Sequence, residues 1–227
     1  MEWINKFTYP KSTRSIVNGS RHYNLGGSNL PSVTSILKAT QSEEDKAAID
    51  AWKERVGHKE AERIKNEASS RGSSMHSYIE QFLLGKFNLD LLDEENKSKK
   101  MAVEIIDNGL KNKLTEIWGA EATVYYPGKY AGTADCIGVY EGKETILDFK
   151  QSNKPKKEEY IEDYFLQIGA YSLAHNTVYN SKITQGVILI CTVDRLFQDF
   201  KIEENELKNY QNKFLEKVEQ FYQIIGR

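Results

Sequence analysis

Residues 145–150 read Thr-Ile-Leu-Asp-Phe-Lys, an apolar run broken by two opposite charges two positions apart. Side chains alternate faces along a strand, so Asp148 and Lys150 share one face while Leu147 and Phe149 turn to the other, towards a core. Upstream, residues 133–140 form a second strand pattern, and Glu141-Gly142-Lys143 supplies a turn that folds it back as a hairpin. Such a hairpin brings Asp135 near Asp148. Two acids and an amine are therefore expected to meet on neighbouring strands that are otherwise apolar.

A chain of 227 residues fits one domain and can bury a sizeable core. Its 31 basic and 33 acidic side chains give a net charge of -2, so nucleic-acid binding has to come from local patches of Lys and Arg. Two cysteines, Cys136 and Cys191, are too few for an iron-sulfur cluster or a thiolate zinc site, and a reducing compartment is expected. No apolar run approaches the ~18 residues of a membrane span. The opening Met-Glu-Trp-Ile-Asn-Lys-Phe lacks signal-peptide order, so a soluble, unprocessed protein is expected.

Residues 1–30 mix Gly, Asn and Ser with short β-like pieces such as 21–25 and read as an irregular extension, at most a small hairpin. Ser32 is a candidate cap for a short helix. Ser42-Glu43-Glu44-Asp45 starts a stronger one, with acids where the helix dipole favours them, running through Trp52-Lys53. Residues 58–84 are helical, with Gly72 a weak point and Met75, Ile79 and Phe82 on one apolar face. His76 and Glu80 lie on the adjacent face, four residues apart. A third charged helix is expected over 94–117. A strand at 120–126 and the central hairpin follow, then a helix over 159–178 that places Gln167 and Tyr171 on one face. Residues 185–193 are the most continuous apolar run and read as a central strand, with a shorter partner at 198–202 and a closing helix over 203–225.

Water attacking a phosphodiester requires cations near the attacking water and the leaving oxygen. Asp135 and Asp148 are oxygen ligands for such an ion, the Phe149 carbonyl a further one and His76 a nitrogen. Lys150 is placed to orient the water and offset phosphate charge. Taken alone, an Asp with Asp-x-Lys is more often a set of surface salt bridges, a lone His a satisfied one, and lysine clusters merely solvated.

Four motifs nevertheless occur in order: Arg-Gly-x-x-x-His (71–76), Gly-x-x-Asp (132–135), Asp-x-Lys (148–150) and Gln-x-x-x-Tyr (167–171). Together they resemble the PD-(D/E)XK nuclease superfamily and, within it, RecB-like exonucleases, closest to the mitochondrial genome maintenance exonucleases and their phage and bacterial relatives. The likeness extends to Leu30-Pro31-Ser32-Val33-Thr34, Trp52-Lys53, residues 152–156 and Ala174-His175-Asn176. It implies an α/β (α+β) restriction-endonuclease-like core, a mixed central sheet flanked by helices, with an N-terminal helical arm. The chain would then divide into an extension (1–30), a helical arm or arch (31–118) and a nuclease core (119–227).

By the same resemblance, Asp135 and Asp148 bind Mg2+ or Mn2+ with His76 and the Phe149 carbonyl, and Lys150 is catalytic. Gln167, Tyr171, Arg71, Ser152 and Lys154 order the site or touch DNA. Glu121 sits where some relatives carry an acid, and Glu80 is more readily solvated than a ligand. The implied activity is a metal-dependent deoxyribonuclease, an exonuclease preferring single-stranded ends, in replication, recombination or repair. A structure-specific endonuclease and a non-catalytic DNA-binding scaffold are the alternatives. The implied partner is DNA with free ends, beside replication or recombination proteins, with no membrane and no nucleotide cofactor. Some relatives carry a four-cysteine cluster, which two cysteines cannot build. The lack of a mitochondrial-type presequence gives a bacterial or phage-infected cytoplasm as the expected setting.

Overall fold

The computed structural model describes residues 1–86 and 96–226. A six-stranded mixed sheet runs in the order β1-β5-β6-β7-β8-β9. Its strands are β1 (Glu2–Trp3), β5 (Leu114–Tyr126), β6 (Tyr130–Tyr140), β7 (Lys143–Ser152), β8 (Gln185–Thr192) and β9 (Phe197–Glu203). The β6–β7 hairpin turns at Glu141 and Gly142, both with positive φ, as a tight two-residue connection requires. Strands β7 and β8 are parallel, so their link must cross over, and it does so through α5 (Glu162–Tyr179).

Both faces of the sheet are covered. On one, α1 (Val33–Ala39), α5 and α6 (Glu204–Ile224) pack against Val124, Ala134, Ile146 and Ile188. On the other, α3 (His58–Leu83) and α4 (Lys97–Ile105) bury Met75, Ile79 and Met101 against Leu147, Phe149 and Leu189. The alternation in residues 145–150 is thus read by two cores rather than by core and solvent. The charges of Asp148 and Lys150 lie on the α5 side of a central strand.

Ser42 caps α2 (Glu43–Val56), accepting the Asp45 backbone N–H at 3.0 Å, and Ser32 caps α1 through the Ser35 N–H at the same distance. Helix α3 runs unbroken through Gly72, where a weak point was expected. The helix expected over 94–117 differs more. Its start at Glu94 lies outside the described residues, and α4 ends at Ile105 in a π-turn over Ile106–Leu110, after which β5 begins at Leu114. Ile117 and Trp118 are strand residues, because β5 extends under both layers and both side chains are 2% exposed.

Within residues 1–30 the expected irregular stretch is confined to 4–12, and most of the rest is strand. Besides β1, these residues hold β2 (Thr13–Val17), β3 (Ser20–Leu25) and most of β4 (Ser28–Pro31), a three-stranded antiparallel sheet. Asn18-Gly19 turns the first hairpin with φ of 50° and 76°, and Gly26-Gly27 turns the second, so each loop holds residues suited to left-handed φ. A single parallel bridge, Ser32 to Ala131, ties this small sheet to β6 beside Gly132. Among the described residues no helix is long and apolar enough to cross a membrane.

Candidate active site

The β6–β7 ladder pairs from Tyr140 and Lys143 down to Cys136 and Leu147, and there it stops. One position beyond stand Asp135 and Asp148. Instead of a ladder bond, the Asp135 carboxylate accepts the Phe149 backbone N–H at 2.7 Å. The strands are therefore parted by a side chain, and the gap is the site. Asp148 is buried, 2% exposed, and the Asp135 side chain is nearly so at 11%.

Helix α3 delivers His76 to this gap from the opposite layer. A carbonyl can only accept, so His76 Nε2–H donates to the Phe149 carbonyl at 2.8 Å, which turns Nδ1 towards the acids. Nδ1 lies 3.5 Å from Asp135 and 3.6 Å from Glu121. Glu121 arrives there because β5 pairs Ala120 with Cys136 and Ala122 with Ala134, so Glu121 stands opposite Asp135. It does so with φ of 47°, a left-handed conformation that costs a non-glycine residue about 1–3 kcal/mol.

Lys150 reaches Asp148 Oδ2 at 2.5 Å and donates to Gln167 Oε1 at 3.2 Å. The contact with Asp148 is an ion pair without the direction of a hydrogen bond, and Oδ2 has no directed partner. The ring of Tyr164, a residue the sequence reading did not single out, lies 5.1 Å beneath the Lys150 ammonium.

Burial is the largest single influence on each of these groups, but it sets the net direction only at Asp148. It pushes Asp148 up to about 6, against the pull of Lys150 and with the help of Asp135. Asp135 is buried too, yet the His76 imidazolium, Lys150 and the Phe149 N–H together hold it below the usual carboxylate range. Burial would lower His76, but Asp135 and Glu121 outweigh it and lift the imidazole to about 10. Burial would likewise lower Lys150, and Asp148 and Asp135 raise it instead. One acid is thus firmly ionised and its neighbour resists ionisation.

One nitrogen of His76 and one carboxylate oxygen each from Glu121 and Asp135 lie within 4.8 Å of one another. This donor set of two hard carboxylate oxygens and one imidazole fits a small divalent cation, and Asp148, whose Oδ2 faces Lys150, lines the same cleft without being one of the three. The Phe149 carbonyl, expected as a ligand, is already engaged by His76 and keeps one lone pair.

These groups open into a cleft of about 180 Å³ that Gln167, Tyr171 and Gly132 also line. Arg71 lies outside it. Its Nε donates to Gln151 at 2.8 Å and its Nη2 to Asn153, which ties α3 to the end of β7. Ser152 and Lys154 do not line the cleft either: Ser152 Oγ donates to the Lys154 carbonyl at 2.6 Å, a turn bond that closes the strand. Glu80 belongs to a neighbouring groove with His76 and Glu121. Sequence reasoning missed Arg14, Arg21, Tyr23 and Thr133, all of which line the cleft. The Asn18-Gly19 turn between two alternating runs was the signal that could have placed the first three.

No family model matches the chain. It is 28% identical over 211 residues to mitochondrial genome maintenance exonuclease 1 of Xenopus tropicalis, covering 87% of this chain and 58% of that protein. It is 27% identical over 203 residues to the human protein of that name, covering 85% and 58%. The chain therefore spans less than two thirds of these relatives. The solved alkaline exonuclease from Laribacter hongkongensis matches with a TM-score of 0.33 at 14% identity, over 67% of this chain and 81% of that one, too loosely to add to the argument. Over most of its own length the chain is thus similar to the mitochondrial genome maintenance exonucleases, and its mixed, helix-flanked sheet carries the Asp and Asp-x-Lys residues by which it resembles the PD-(D/E)XK exonucleases.

Proposed function

We propose that this chain is a divalent-metal-dependent deoxyribonuclease that removes nucleotides from DNA ends, with a preference for single strands. The observation that carries the proposal is the meeting of His76, Glu121 and Asp135 beside the buried Asp148–Lys150 pair. When bound, Mg2+ or Mn2+ supplies the positive charge that a phosphodiester requires under attack by water. Glu121, Asp135, His76 and Asp148 are the groups that would hold it.

The chain's own residues do the rest. Lys150 carries a cation on the floor of the cleft, fixed by Asp148 and by Gln167 at 3.2 Å, where it can orient a water and offset the charge that develops on phosphate. Burial would lower its pKa, but Asp148 and Asp135 raise it, which favours the ammonium and suits that electrostatic, orienting role. His76 is a ligand only when neutral, so loading the site requires that imidazole to give up a proton. The Phe149 carbonyl keeps the ring oriented while it does so. Removal from an end, rather than internal cutting, is supported by the names of the relatives.

End-labelled linear and closed circular single strands, incubated with Mg2+ or Mn2+, test the reading. Cleavage of linear strands that spares circles and vanishes with EDTA or Asp148→Asn is expected. Equal cutting of circles would replace it with an endonuclease, and cleavage unaffected by Asp148→Asn would overturn the site.

A further inference from the structure

Opposite the acids, the cleft is walled by the small sheet. In β2 and β3, Arg14 pairs with Tyr23 and Ile16 with Arg21, so Arg14, Arg21 and Tyr23 project from one face. That face is the one turned to the site, since the Tyr23 hydroxyl meets Thr133 Oγ1 at 3.1 Å, two residues from Asp135. Arg14 Nη2 donates to the same Thr133 oxygen at 2.9 Å, and its guanidinium lies 5.4 Å over the Tyr23 ring. One edge of Arg14 is thereby fixed while its other N–H groups stay available. Arg21 is anchored through its backbone, with its N–H on Ser35 Oγ at 2.9 Å and its carbonyl accepting the Ser32 N–H at 2.8 Å. Its side chain is left for another task.

Neither arginine forms an ion pair with an acid among the described residues. The cations that act most strongly on Asp135 and Asp148 are His76 and Lys150. Two guanidiniums without an acidic partner among the described residues thus line the same cleft as the carboxylates. A cation suits the acid wall and an oxyanion suits the arginine wall, where forked N–H groups match phosphate oxygens.

We propose that Arg14 and Arg21 form a phosphate clamp that holds the nucleic-acid backbone at a phosphodiester flanking the cut bond, making the three-stranded sheet a wall of the substrate channel. The inference rests on the nuclease reading. It assigns substrate binding to residues outside the four motifs.

The test measures fluorescence anisotropy of a labelled single strand on the Asp148→Asn protein, across a salt series, with Arg14→Gln, Arg21→Ala and Arg21→Lys added singly. Each charge-removing change should weaken binding roughly tenfold and lower the salt slope by about one, with Arg21→Lys between the two. Melting curves of all variants exclude loss of fold. A strand carrying one neutral methylphosphonate, stepped along the chain, should bind the parent less tightly at one flanking position and leave Arg21→Ala unchanged there. Unaltered affinity and slope in the arginine variants, in a protein whose wild type cuts DNA, would overturn the clamp alone. A wild type that neither binds nor cuts any strand would overturn the nuclease reading with it.

Discussion

The ring of Tyr171 fills the space that a side chain at position 132 would need: a Cβ on Gly132 would stand 2.5 Å from Tyr171 Cε1. Two of the four motifs are therefore one contact. The glycine lets β6 approach α5, and the tyrosine it admits closes the cleft behind Asp135. Gly132→Ala should cost about 2 kcal/mol, as overpacking does in a filled site, and depress cleavage. Adding Tyr171→Leu should return part of the loss, a non-additive pair that thermal melts of both single and double variants would reveal. Simple addition of the two costs would show that the ring and the glycine are independent.

Lys150→Ala leaves Asp148 buried without its cation. Breaking such a pair from one side costs about 3 kcal/mol, so Lys150→Ala should melt well below wild type. Asp148→Asn/Lys150→Ala should recover much of that stability while remaining inactive. If the double variant melts lower than Lys150→Ala, Asp148 is not the source of the cost.

Metal affinity separates the acids on α3 and β5. Glu121→Gln should weaken Mn2+ binding roughly tenfold by titration calorimetry, in line with what single groups around a metal contribute. Glu80→Gln, in the adjoining groove, should leave it unchanged. The reverse ranking would move the site along α3.

Stability should depend on pH through His76. Its folded pKa of about 10 lies above the ordinary 6.5, so its contribution is complete below about pH 6.5 and is lost as pH climbs towards 10. Metal-free protein should thus lose melting temperature between pH 7 and 10, and His76→Gln should lose less across the same window. Mn2+ at saturation should flatten the wild-type curve, because ligation already requires the neutral ring. Parallel curves for wild type and variant would remove His76 from the ionic cluster.

Much of the fold is legible in the sequence alone, and for a physical reason. Period-two alternation in 145–150, the Ser42 cap and the Gln167–Tyr171 spacing are local, so short windows contain them. The errors are non-local. Strand β5 outruns its pattern because two packed layers bury Ile117 and Trp118. Glu121 has little meaning until its register opposite Asp135 is known. Arg14 and Arg21 lie more than a hundred residues from the acids of the cleft, and it takes the Ser32–Ala131 bridge, the Thr133 bonds and the packing of Tyr23 and Leu30 on Ala131 to bring them across.

Helix α3 has one more implication. Its 26 residues make a rod about 39 Å long, buried chiefly from Met75 onwards, with His76 about 27 Å from the N-terminal end that adjoins α2. With no break at Gly72 the rod has no joint in which to absorb a load. A force on its N-terminal end is passed along the whole shaft to the stretch buried from Met75 onwards. The imidazole sits at the start of that buried stretch, where a swing of the far end becomes a small displacement, so His76 keeps its place beside Asp135 and Glu121.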